Sequence, residues 1–408
     1  MIARKILFVP VLAVLLLTGC VTPDQTPPAI VQSETSLCQT DGAVLDTNFP
    51  AGKVASCQVT GSNEFTLTIE PEDAPPINCS AWYAFRLKPR EGAATQRIKV
   101  NLNYGICGHR YWPKSSTDGT QWDYLPKKNV AITKVANVNQ ASLTVRMGDA
   151  PIFISAQEII VPATYGAWIE KMATSQSVDQ WILGKSAEGR DIPALTLKHT
   201  GSNPKHRVIL IGRQHPPEIT GALAMLPFVE TLNADTELAR KYRAKFTTVV
   251  VPMLNPDGVV RGHWRHNTGS TDLNRDWGPF KQPETRLMDN LLKEIATHPD
   301  KELSFFADFH STQNDIFYTI PDEFPTKPKL FIKKWLGRLQ ERMPDYKVER
   351  STNANLEQAN SKNYVYKTYG VPSVTYEMGD ETDRELIKKI AREAGTAMME
   401  TLLASEAE

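Results

Sequence analysis

The sequence predicts an α/β fold, a mixed and largely parallel sheet sandwiched by helices, preceded by an N-terminal β-sandwich. Residues from about 38 to 160 alternate apolar and polar side chains with a period of two, as in Phe65, Leu67 and Ile69. From about residue 167, short apolar runs alternate with stretches that have helical spacing. Strands that alternate with helices indicate a sheet whose two faces are both covered.

The N-terminal segment is typical of a targeting signal. Arg4 and Lys5 precede an apolar stretch, residues 6–17, which is shorter than the roughly 20 residues that span a bilayer. Residues 17–20, Leu-Thr-Gly-Cys, resemble a bacterial lipobox, which implies cleavage after residue 19 and lipid attachment to Cys20. A secretory signal with an incidental cysteine is the alternative. Because Val21 follows rather than Asp, we expect a protein anchored in the outer membrane and facing the periplasm.

Residues 20–37 are rich in Pro, Thr, Gln and Ser and are predicted to form a solvated tether. The predicted β-sandwich domain covers residues 38–163, with further alternating strands around residues 98–104 and 143–147. Its four cysteines are even in number, so two disulfides are expected in an oxidising compartment, with three pairings open: Cys38, Cys57, Cys79 and Cys107. Because no close Cys-x-x-Cys pair occurs among them, a four-cysteine zinc site is disfavoured.

The predicted α/β domain covers residues 164–408. Its strands are expected at residues 208–211, 246–252, 303–309 and 373–376, and its helices at 218–232, 283–297, 328–341 and after 382. We expect a capping box of Thr382 with Glu385 to begin the last helix. Apolar residues with helical spacing follow it: Ile387, Ile390, Ala394, Met398 and Leu402.

The composition, with 41% hydrophobic and 23% charged residues, is that of an ordinary globular protein. The formal net charge is zero and the chain has no long basic run, which argues against a nucleic-acid partner.

Three residues have the chemistry of zinc ligands. His215 and Glu218 lie three residues apart, directly after an apolar strand, where a turn can direct both side chains to one point. His310 follows another predicted strand, and in open α/β sheets the carboxyl ends of the strands form the site. A catalytic zinc takes three protein ligands and keeps one position for water, so one Zn²⁺ per chain is expected.

The order of motifs along the chain carries a resemblance. His215 and Glu218 are followed by residues 255–258 (Asn-Pro-Asp-Gly), residues 272–275 (Asp-Leu-Asn-Arg), His310 and Glu377. This order resembles the zinc metallocarboxypeptidases of the carboxypeptidase A superfamily. Further segments are similar to the cytosolic carboxypeptidases, the branch that removes glutamate from protein tails: residues 82–87, 151–153, 162–165 and 262–265.

The resemblance implies a carboxypeptidase-like fold and a role for each matched residue. Glu377 is expected to take a proton from the attacking water and to deliver it to the leaving amine. Arg265 is expected to stabilise the oxyanion. Asn274 and Arg275 are expected to bind the terminal carboxylate of the substrate, which restricts cleavage to a free C-terminus. Asp272 is expected to orient the first zinc-binding histidine.

Two features of the substrate pocket stay open. Lys362 favours an acidic C-terminal residue if it lines the pocket, whereas an exposed, solvated lysine is the commoner alternative. The mobile tyrosine of digestive carboxypeptidases has no clean match, which leaves Tyr364, Tyr366 and Tyr369 as candidates.

The predicted function is therefore zinc-dependent hydrolysis of the C-terminal peptide bond of peptides or proteins, with acidic last residues favoured if Lys362 lines the pocket. An alternative with the same chemistry is a carboxypeptidase or amidase acting on peptidoglycan stem peptides. An inactive domain that only binds carboxylate-ended ligands is a third reading, which predicts a missing ligand or base. The sequence contains the complete set of matched residues, which disfavours this reading. The oligomeric state is not predicted.

Overall fold

The structure, a computed structural model, describes residues 37–91, 96–352 and 355–406. The predicted signal peptide and the lipidation site Cys20 lie outside these residues. The described residues belong to one compact unit. No helix within these ranges is both long and apolar enough to cross a lipid bilayer.

Two sheets form the N-terminal β-sandwich. One has the strand order β1-β2-β5-β11-β7-β8 and the other β3-β4-β6-β10-β9. The alternating side chains of the second sheet, such as Phe65, Val100 and Leu143, are buried in one core with Leu45 and Phe85 of the first sheet. The strands are β1 (Cys38–Gln39), β2 (Ala43–Asp46), β3 (Ser56–Gly61), β4 (Glu64–Ile69), β5 (Ala84–Pro89), β6 (Gln96–Tyr104), β7 (Lys114–Ser116), β8 (Asp123–Tyr124), β9 (Val130–Val135), β10 (Val138–Met147) and β11 (Ile152–Ser155).

Two disulfides stabilise the sandwich, Cys38–Cys57 and Cys79–Cys107. This is one of the three pairings that the sequence leaves open. The first bond joins β1 to β3 and therefore connects the two sheets. The second joins two connecting segments between strands.

An eight-stranded sheet forms the centre of the second part, with the order β12-β13-β15-β14-β16-β19-β17-β18. Its four middle strands, β15, β14, β16 and β19, are parallel to one another. These strands are almost wholly buried, which explains their continuous apolar runs. The strands are β12 (Val178–Lys185), β13 (Asp191–Leu197), β14 (His206–Gly212), β15 (Phe246–Val251), β16 (Glu302–Thr312), β17 (Ile316–Thr319), β18 (Arg350–Ser351) and β19 (Ser373–Gly379).

Helices cover both faces of this sheet. Leu210 and Phe309 point to the face that packs on α2, α3, α6 and α8, and Ile209 and Phe306 point to the face that packs on α5 and α7. The helices are α1 (Pro162–Met172), α2 (Ile219–Asn233), α3 (Glu237–Lys245), α4 (Pro256–Arg261), α5 (Pro283–Thr297), α6 (Phe331–Arg342), α7 (Ser361–Tyr369) and α8 (Arg384–Ser405). The predicted mixed, largely parallel sheet sandwiched by helices is therefore confirmed.

One helix start differs from the sequence prediction. The side chain of Asp383 caps α8 by accepting the backbone N–H of Leu386 at 2.9 Å. The predicted capping box of Thr382 with Glu385 is therefore wrong. Thr382 instead donates its hydroxyl to Asp315 at 2.7 Å, and its side chain accepts no helix N–H in the described hydrogen bonds.

The sandwich and the α/β part share buried contacts. Trp264, from the loop after α4, is fully buried in the core of the sandwich and donates its indole N–H to the carbonyl of Trp82 at 3.1 Å. The backbone N–H of Ala51 donates to the carbonyl of Val260 at 2.8 Å. The sandwich is thus packed against the end of α4 and the loop that follows it.

Candidate metal centre and active site

The turn between β14 and α2 carries the first two candidate ligands. Arg213 has a positive φ of 52° and a buried side chain. Its guanidinium donates to the carbonyls of Ile160 at 3.1 Å and Pro216 at 2.7 Å. These bonds fix the turn in which His215 lies, and Glu218 follows at the residue before α2.

Three donor atoms meet beside this turn. His215 Nδ1 lies 2.8 Å from Glu218 Oε1, and His310 Nδ1 lies 2.7 Å from Glu218 Oε2. The two Nδ1 atoms are 3.1 Å apart, and all three side chains are buried. His310 lies inside β16 rather than at the end of the strand, because β16 pairs with β19 as far as residue 312. The fold therefore brings the three predicted ligands together.

Each of the two histidines contacts a carboxylate through Nε2, the ring nitrogen that points away from the candidate metal centre. Asp272 Oδ1 lies 2.9 Å from Nε2 of His215, and Asp308 Oδ2 lies 2.9 Å from Nε2 of His310. A carboxylate that accepts the Nε2 proton leaves the lone pair of Nδ1 facing the centre. Asp272 lies where the resemblance places it. The contact of Asp308 is not predicted by the sequence, although its spacing of two from His310 puts both side chains on one face of the strand.

This donor set fits a zinc ion. Two Nδ1 lone pairs that face each other at 3.1 Å repel unless a proton or a metal cation lies between them. Two imidazole nitrogens and one carboxylate are a common set of protein ligands for catalytic zinc. Burial alone would lower the pKa of His310, but Asp308 and Glu218 outweigh it and raise that pKa well above its ordinary value. The same negative surroundings favour a metal cation.

Glu377 faces the metal centre from the neighbouring strand. It pairs with His310 across the parallel strands β16 and β19. Its Oε2 atom is buried and has no hydrogen-bond partner among the described residues. Burial raises the pKa of Glu377 to about 7. A carboxyl group with this pKa is suited to accept and return a proton near neutral pH.

Arg265 and Asn274 present N–H groups at the edge of the centre. Arg265 Nε donates to Asp272 Oδ2 at 2.7 Å, and its Nη1 lies 3.5 Å from Nδ1 of His215. Asn274 Nδ2 lies 3.3 Å from Nε2 of His310. Both side chains are buried, so their geometry is fixed by protein contacts rather than by solvent.

Arg275 is held at the wall of the same site. Its Nη1 donates to the carbonyl of Asn274 at 2.7 Å. With its amide turned so that the carbonyl faces Arg275, Gln358 accepts from Nη2 at 2.8 Å and from Nε at 3.1 Å. The guanidinium is therefore oriented before any substrate arrives.

One cavity of about 340 Å³ is lined by the three candidate ligands and by the side chains that face them, which are Glu377, Arg265, Asn274, Arg275 and Gln358. Lys362, at the start of α7, lines it with only 4% of its surface exposed. Burial lowers the pKa of Lys362 to about 8, and its ammonium donates to Asn363 Oδ1 at 2.9 Å. The interpretation of Lys362 as a solvated surface side chain is therefore wrong. The sandwich also reaches the cavity, through Ser80 and Arg110.

None of the three candidate tyrosines lines this cavity in the described part of the chain. Tyr364 donates its hydroxyl to Asp289 at 2.7 Å, and Tyr369 packs edge-on against Tyr364. The tyrosine that does line the cavity is Tyr318 of β17. The sequence gives no signal for it, because its position depends on the pairing of β17 with β19.

Comparison with known proteins agrees with this geometry. Residues 165–398 match the family model of the M14 peptidases, described as zinc carboxypeptidase. The chain belongs to this family. The match covers more than half of the chain and contains the three candidate zinc ligands and Glu377.

The relatives of this zinc carboxypeptidase include cytosolic carboxypeptidases. The chain is 25% identical to cytosolic carboxypeptidase 6 of Mus musculus, in an alignment that covers 65% of this chain and 53% of that protein. It is 31% identical to an uncharacterised protein of Zymomonas mobilis, over 54% of this chain and 60% of that protein. The chain thus spans little more than half the length of these two relatives.

Solved structures share the fold of this zinc carboxypeptidase. A metallo-carboxypeptidase from Burkholderia cenocepacia has a TM-score of 0.72 at 21% identity and covers 90% of this chain and 99% of that chain. A metallo-carboxypeptidase from Pseudomonas aeruginosa, solved with (2-guanidinoethylmercapto)succinic acid, has a TM-score of 0.71 at 20% identity, covering 89% and 100%. The coverage includes the sandwich, so the whole two-part fold recurs in these proteins.

Proposed function

We propose that this zinc carboxypeptidase removes single residues from the free C-terminus of peptides and prefers acidic last residues. The observation that carries the proposal is the convergence in one cavity of three groups of side chains. These are the zinc-ligand cluster, a buried carboxyl group with a raised pKa, and a set of cationic and amide donors. Each answers one requirement of amide hydrolysis at a chain end.

The metal centre is expected to consist of His215, Glu218 and His310, which offer two Nδ1 atoms and a carboxylate. The chemistry that zinc supplies when bound at these residues is Lewis acidity, which activates water and polarises a carbonyl group. Asp272 and Asp308 hold the imidazole rings by their Nε2 atoms. These two carboxylates also favour the tautomer that leaves Nδ1 free.

Proton transfer falls to Glu377. Its Oε2 has no hydrogen-bond partner among the described residues, so it is available to accept a proton from the attacking water. The same carboxyl group then returns that proton to the nitrogen of the leaving amine. Because its pKa is raised to about 7 by burial, both directions of transfer are accessible near neutral pH.

Substrate positioning falls to the donors around the centre. The Nη1 end of Arg265 lies beside the candidate zinc ligands His215 and Glu218. There it can donate to the oxyanion as the scissile carbonyl becomes tetrahedral. Asn274 and Arg275 bind the terminal carboxylate, which explains the restriction to free chain ends.

The acidic preference is supported by Lys362, the buried cation of the cavity. The described hydrogen bond of its ammonium is with a neutral amide, so its charge is not matched by a carboxylate there. A carboxylate on the last side chain of the substrate would supply that partner, and a buried charge gains most from pairing.

The proposal is tested with a set of peptides that differ only in the last residue, ending in Glu, Gln, Leu or Lys. Mass spectrometry scores the loss of one residue, and a zinc chelator and Glu377→Gln serve as controls. We expect chelator-sensitive loss that is about tenfold or more faster for Glu than for Gln. Equal rates for all four peptides would contradict the acidic preference. No loss from any of them, with cleavage of peptidoglycan stem peptides, would favour the cell-wall alternative instead.

We further propose that the protein is a lipoprotein attached through Cys20 and located in the outer membrane, facing the periplasm. The lipobox-like residues 17–20 support this location, and the two disulfides are typical of an oxidising compartment. The test is incorporation of a labelled fatty acid into the full chain, with Cys20→Ser as the control. Equal label in both chains, or in neither, would contradict the proposal.

A further inference from the structure

A carboxylate of the sandwich binds the loop that carries Arg265. The side chain of Glu72, which follows β4, accepts three consecutive backbone N–H groups of that loop. Its Oε2 accepts from Trp264 at 2.6 Å, and its Oε1 accepts from Arg265 at 2.9 Å and from His266 at 2.6 Å. Successive N–H groups that point in one direction form a concave anion site, and here the anion comes from another part of the fold.

The loop also has hydrogen bonds of its own: the N–H of Asn267 donates to the carbonyl of Thr271 at 3.0 Å, and His263 Nδ1 lies 3.0 Å from the carbonyl of His266. The loop begins after α4, at Gly262, and no helix or strand covers residues 262–272. The indole of Trp264 anchors it in the sandwich core. Without the Glu72 carboxylate, three adjacent N–H groups would lose their shared acceptor, and the backbone at Arg265 would be less tightly held.

The side chain of Arg265 is held from the other end. Its Nε donates to Asp272 Oδ2 at 2.7 Å, while Asp272 Oδ1 contacts His215. Glu72 fixes the main chain of Arg265, and Asp272 fixes the middle of its side chain. Its Nη1 lies beside the cluster of candidate zinc ligands, 3.9 Å from Glu218 Oε1.

From this geometry we infer that Glu72 is a positioning residue for Arg265, and that the sandwich contributes to catalysis through it. The inference rests on the proposed function, because it assumes that Arg265 stabilises the oxyanion. Glu72 does not line the active-site cavity and is not expected to touch substrate or zinc. Its effect should therefore fall on the transition state, where the placement of Arg265 matters, and not on zinc content or ground-state binding.

The adjacent residue provides a matched control. Asp73 contacts the same loop, but only through the side chains of His266 at 2.6 Å and Ser270 at 2.8 Å. It accepts no backbone N–H from residues 264–266 in the described hydrogen bonds. Asp73→Asn therefore removes a charge at the same contact surface but leaves the hydrogen bonds of the Arg265 backbone intact.

The first experiment compares steady-state kinetics of the full chain with zinc. For Glu72→Gln we expect kcat to fall about 10- to 100-fold, because displacement of a stabilising group by about 1 Å has effects of this size. KM should stay within about twofold and zinc at one per chain, while Asp73→Asn should stay within about twofold of wild type in kcat. An unchanged kcat in Glu72→Gln would overturn the inference.

A double variant separates positioning from a general structural effect. If Glu72 acts through Arg265, then Glu72→Gln should add less than about twofold to the loss caused by Arg265→Ala. Two losses that multiply would show that Glu72 acts independently of Arg265. If Glu72→Gln does not fold, Glu72→Asp keeps the charge but shortens the side chain, and the same kinetic pattern is expected in smaller degree.

Hydrogen exchange tests, without any substrate, whether Glu72 holds the backbone of residues 264–266. The backbone amides of Trp264, Arg265 and His266 should lose protection in Glu72→Gln and keep it in Asp73→Asn. Protection that is unchanged in Glu72→Gln would contradict the inference. Failure of the proposed function would give a different result. The wild-type protein would then release no C-terminal residue, while the three amides would still lose protection in Glu72→Gln.

Discussion

The metal centre depends on two carboxylates, Asp272 and Asp308, which hold the rings of the two histidines. Asp272 also binds Arg265, so that one side chain contacts both a proposed zinc ligand and the proposed oxyanion donor. Although burial opposes it, His215 and Arg265 lower the pKa of Asp272 far below its ordinary value. It is therefore ionised throughout the neutral range and keeps both contacts.

Replacing Glu377, the proposed general base, should separate metal binding from turnover. Glu377→Gln keeps the size of the side chain but removes the proton acceptor, so we expect kcat to fall by roughly 10²- to 10⁴-fold. The three ligands are untouched, and zinc content measured by atomic absorption should stay at one per chain. Turnover close to that of wild type would show that another group moves the proton.

The charge of Lys362 should make the acidic preference depend on pH. Its pKa is lowered to about 8 by burial, so the ammonium is charged below about pH 8 and loses its proton above it. We expect the ratio of kcat/KM for peptides ending in Glu and in Gln to fall as the pH rises through this value. A ratio that stays constant between pH 7 and pH 9.5 would exclude Lys362 as the recognition group.

The buried charge of Lys362 should also lower the free energy of unfolding of the protein. Because the pKa of Lys362 is lower in the folded state than its ordinary value, its burial destabilises the fold below about pH 8, and this cost disappears as the pH rises toward 10.5. We expect Lys362→Met to raise the free energy of unfolding at pH 7 by on the order of 1–3 kcal/mol and to abolish the preference for Glu. The matched control on α7 is Lys367→Met at an exposed position, expected to change stability by less than about 0.5 kcal/mol. A destabilised Lys362→Met variant would contradict this interpretation.

At the scale of elements, the site depends on a close approach of α2 to β16. A Cβ atom added at Gly221 of α2 would lie 2.4 Å from the carbonyl oxygen of His310. Ser311 reinforces the approach, because its hydroxyl accepts from the N–H of Gly221 at 2.8 Å. The helix that follows Glu218 is thereby fixed against the strand that carries His310.

Gly221→Ala should therefore weaken both the fold and the metal centre. We expect a loss of about 2 kcal/mol or more, because the added methyl group meets backbone that cannot yield easily, and weaker binding of zinc. Gly337→Ala in α6 is the control: nothing lies within 4 Å of its added Cβ, and we expect a gain of about 0.5–1 kcal/mol. Thermal unfolding with and without zinc measures both, and equal stability of the two variants would contradict the account.

Elements with strong periodicity were predictable from the sequence, and those set by tertiary contacts were not. The helix at residues 283–297 agrees with α5, and the stripe from Ile387 to Leu402 is buried along α8. The capping residue of α8 was mispredicted, because Asp383 accepts the N–H of Leu386, while the Thr382 side chain turns toward Asp315, which is distant in sequence. The extension of β16 past His310 likewise depends on its pairing with β19.

At the scale of the whole molecule, the second disulfide links the sandwich to the active-site cavity. Cys79–Cys107 lies next to Ser80 and Arg110, which both line the cavity. Arg110 also donates to the carbonyl of Cys79 at 3.0 Å and to Asp380 at 2.8 Å. The bond therefore supports one wall of this cavity.

Removing either disulfide should cost similar stability but have different effects on activity. The bonds close loops of 19 and 28 residues, for which chain entropy gives about 3–4 kcal/mol each. Replacement of Cys79 and Cys107 by Ser should also raise KM. Replacement of Cys38 and Cys57, which do not line the cavity, should leave KM unchanged. Equal KM values for both variants would show that the wall does not depend on its disulfide.

The candidate site was predictable as a set of residues, because the order of motifs along the chain carries the family resemblance. Its supporting contacts were not. The role of Asp308 behind His310 and the clamp of Glu72 on the loop of Arg265 both join residues distant in sequence. The burial of Lys362 likewise follows from the packing of α7 against the sheet. The neighbouring residues in the sequence therefore do not show whether this lysine is buried or exposed.

The central claim is that this zinc carboxypeptidase acts only at a free chain end. It is tested most directly with two peptides that end in Glu and differ only in whether the terminal carboxyl group is free or amidated. We expect loss of the last residue from the free acid alone, abolished by a chelator and restored by zinc, because the role proposed for Asn274 and Arg275 is to bind that carboxylate. Equal cleavage of the amidated peptide, or cleavage at an internal bond, would contradict the account.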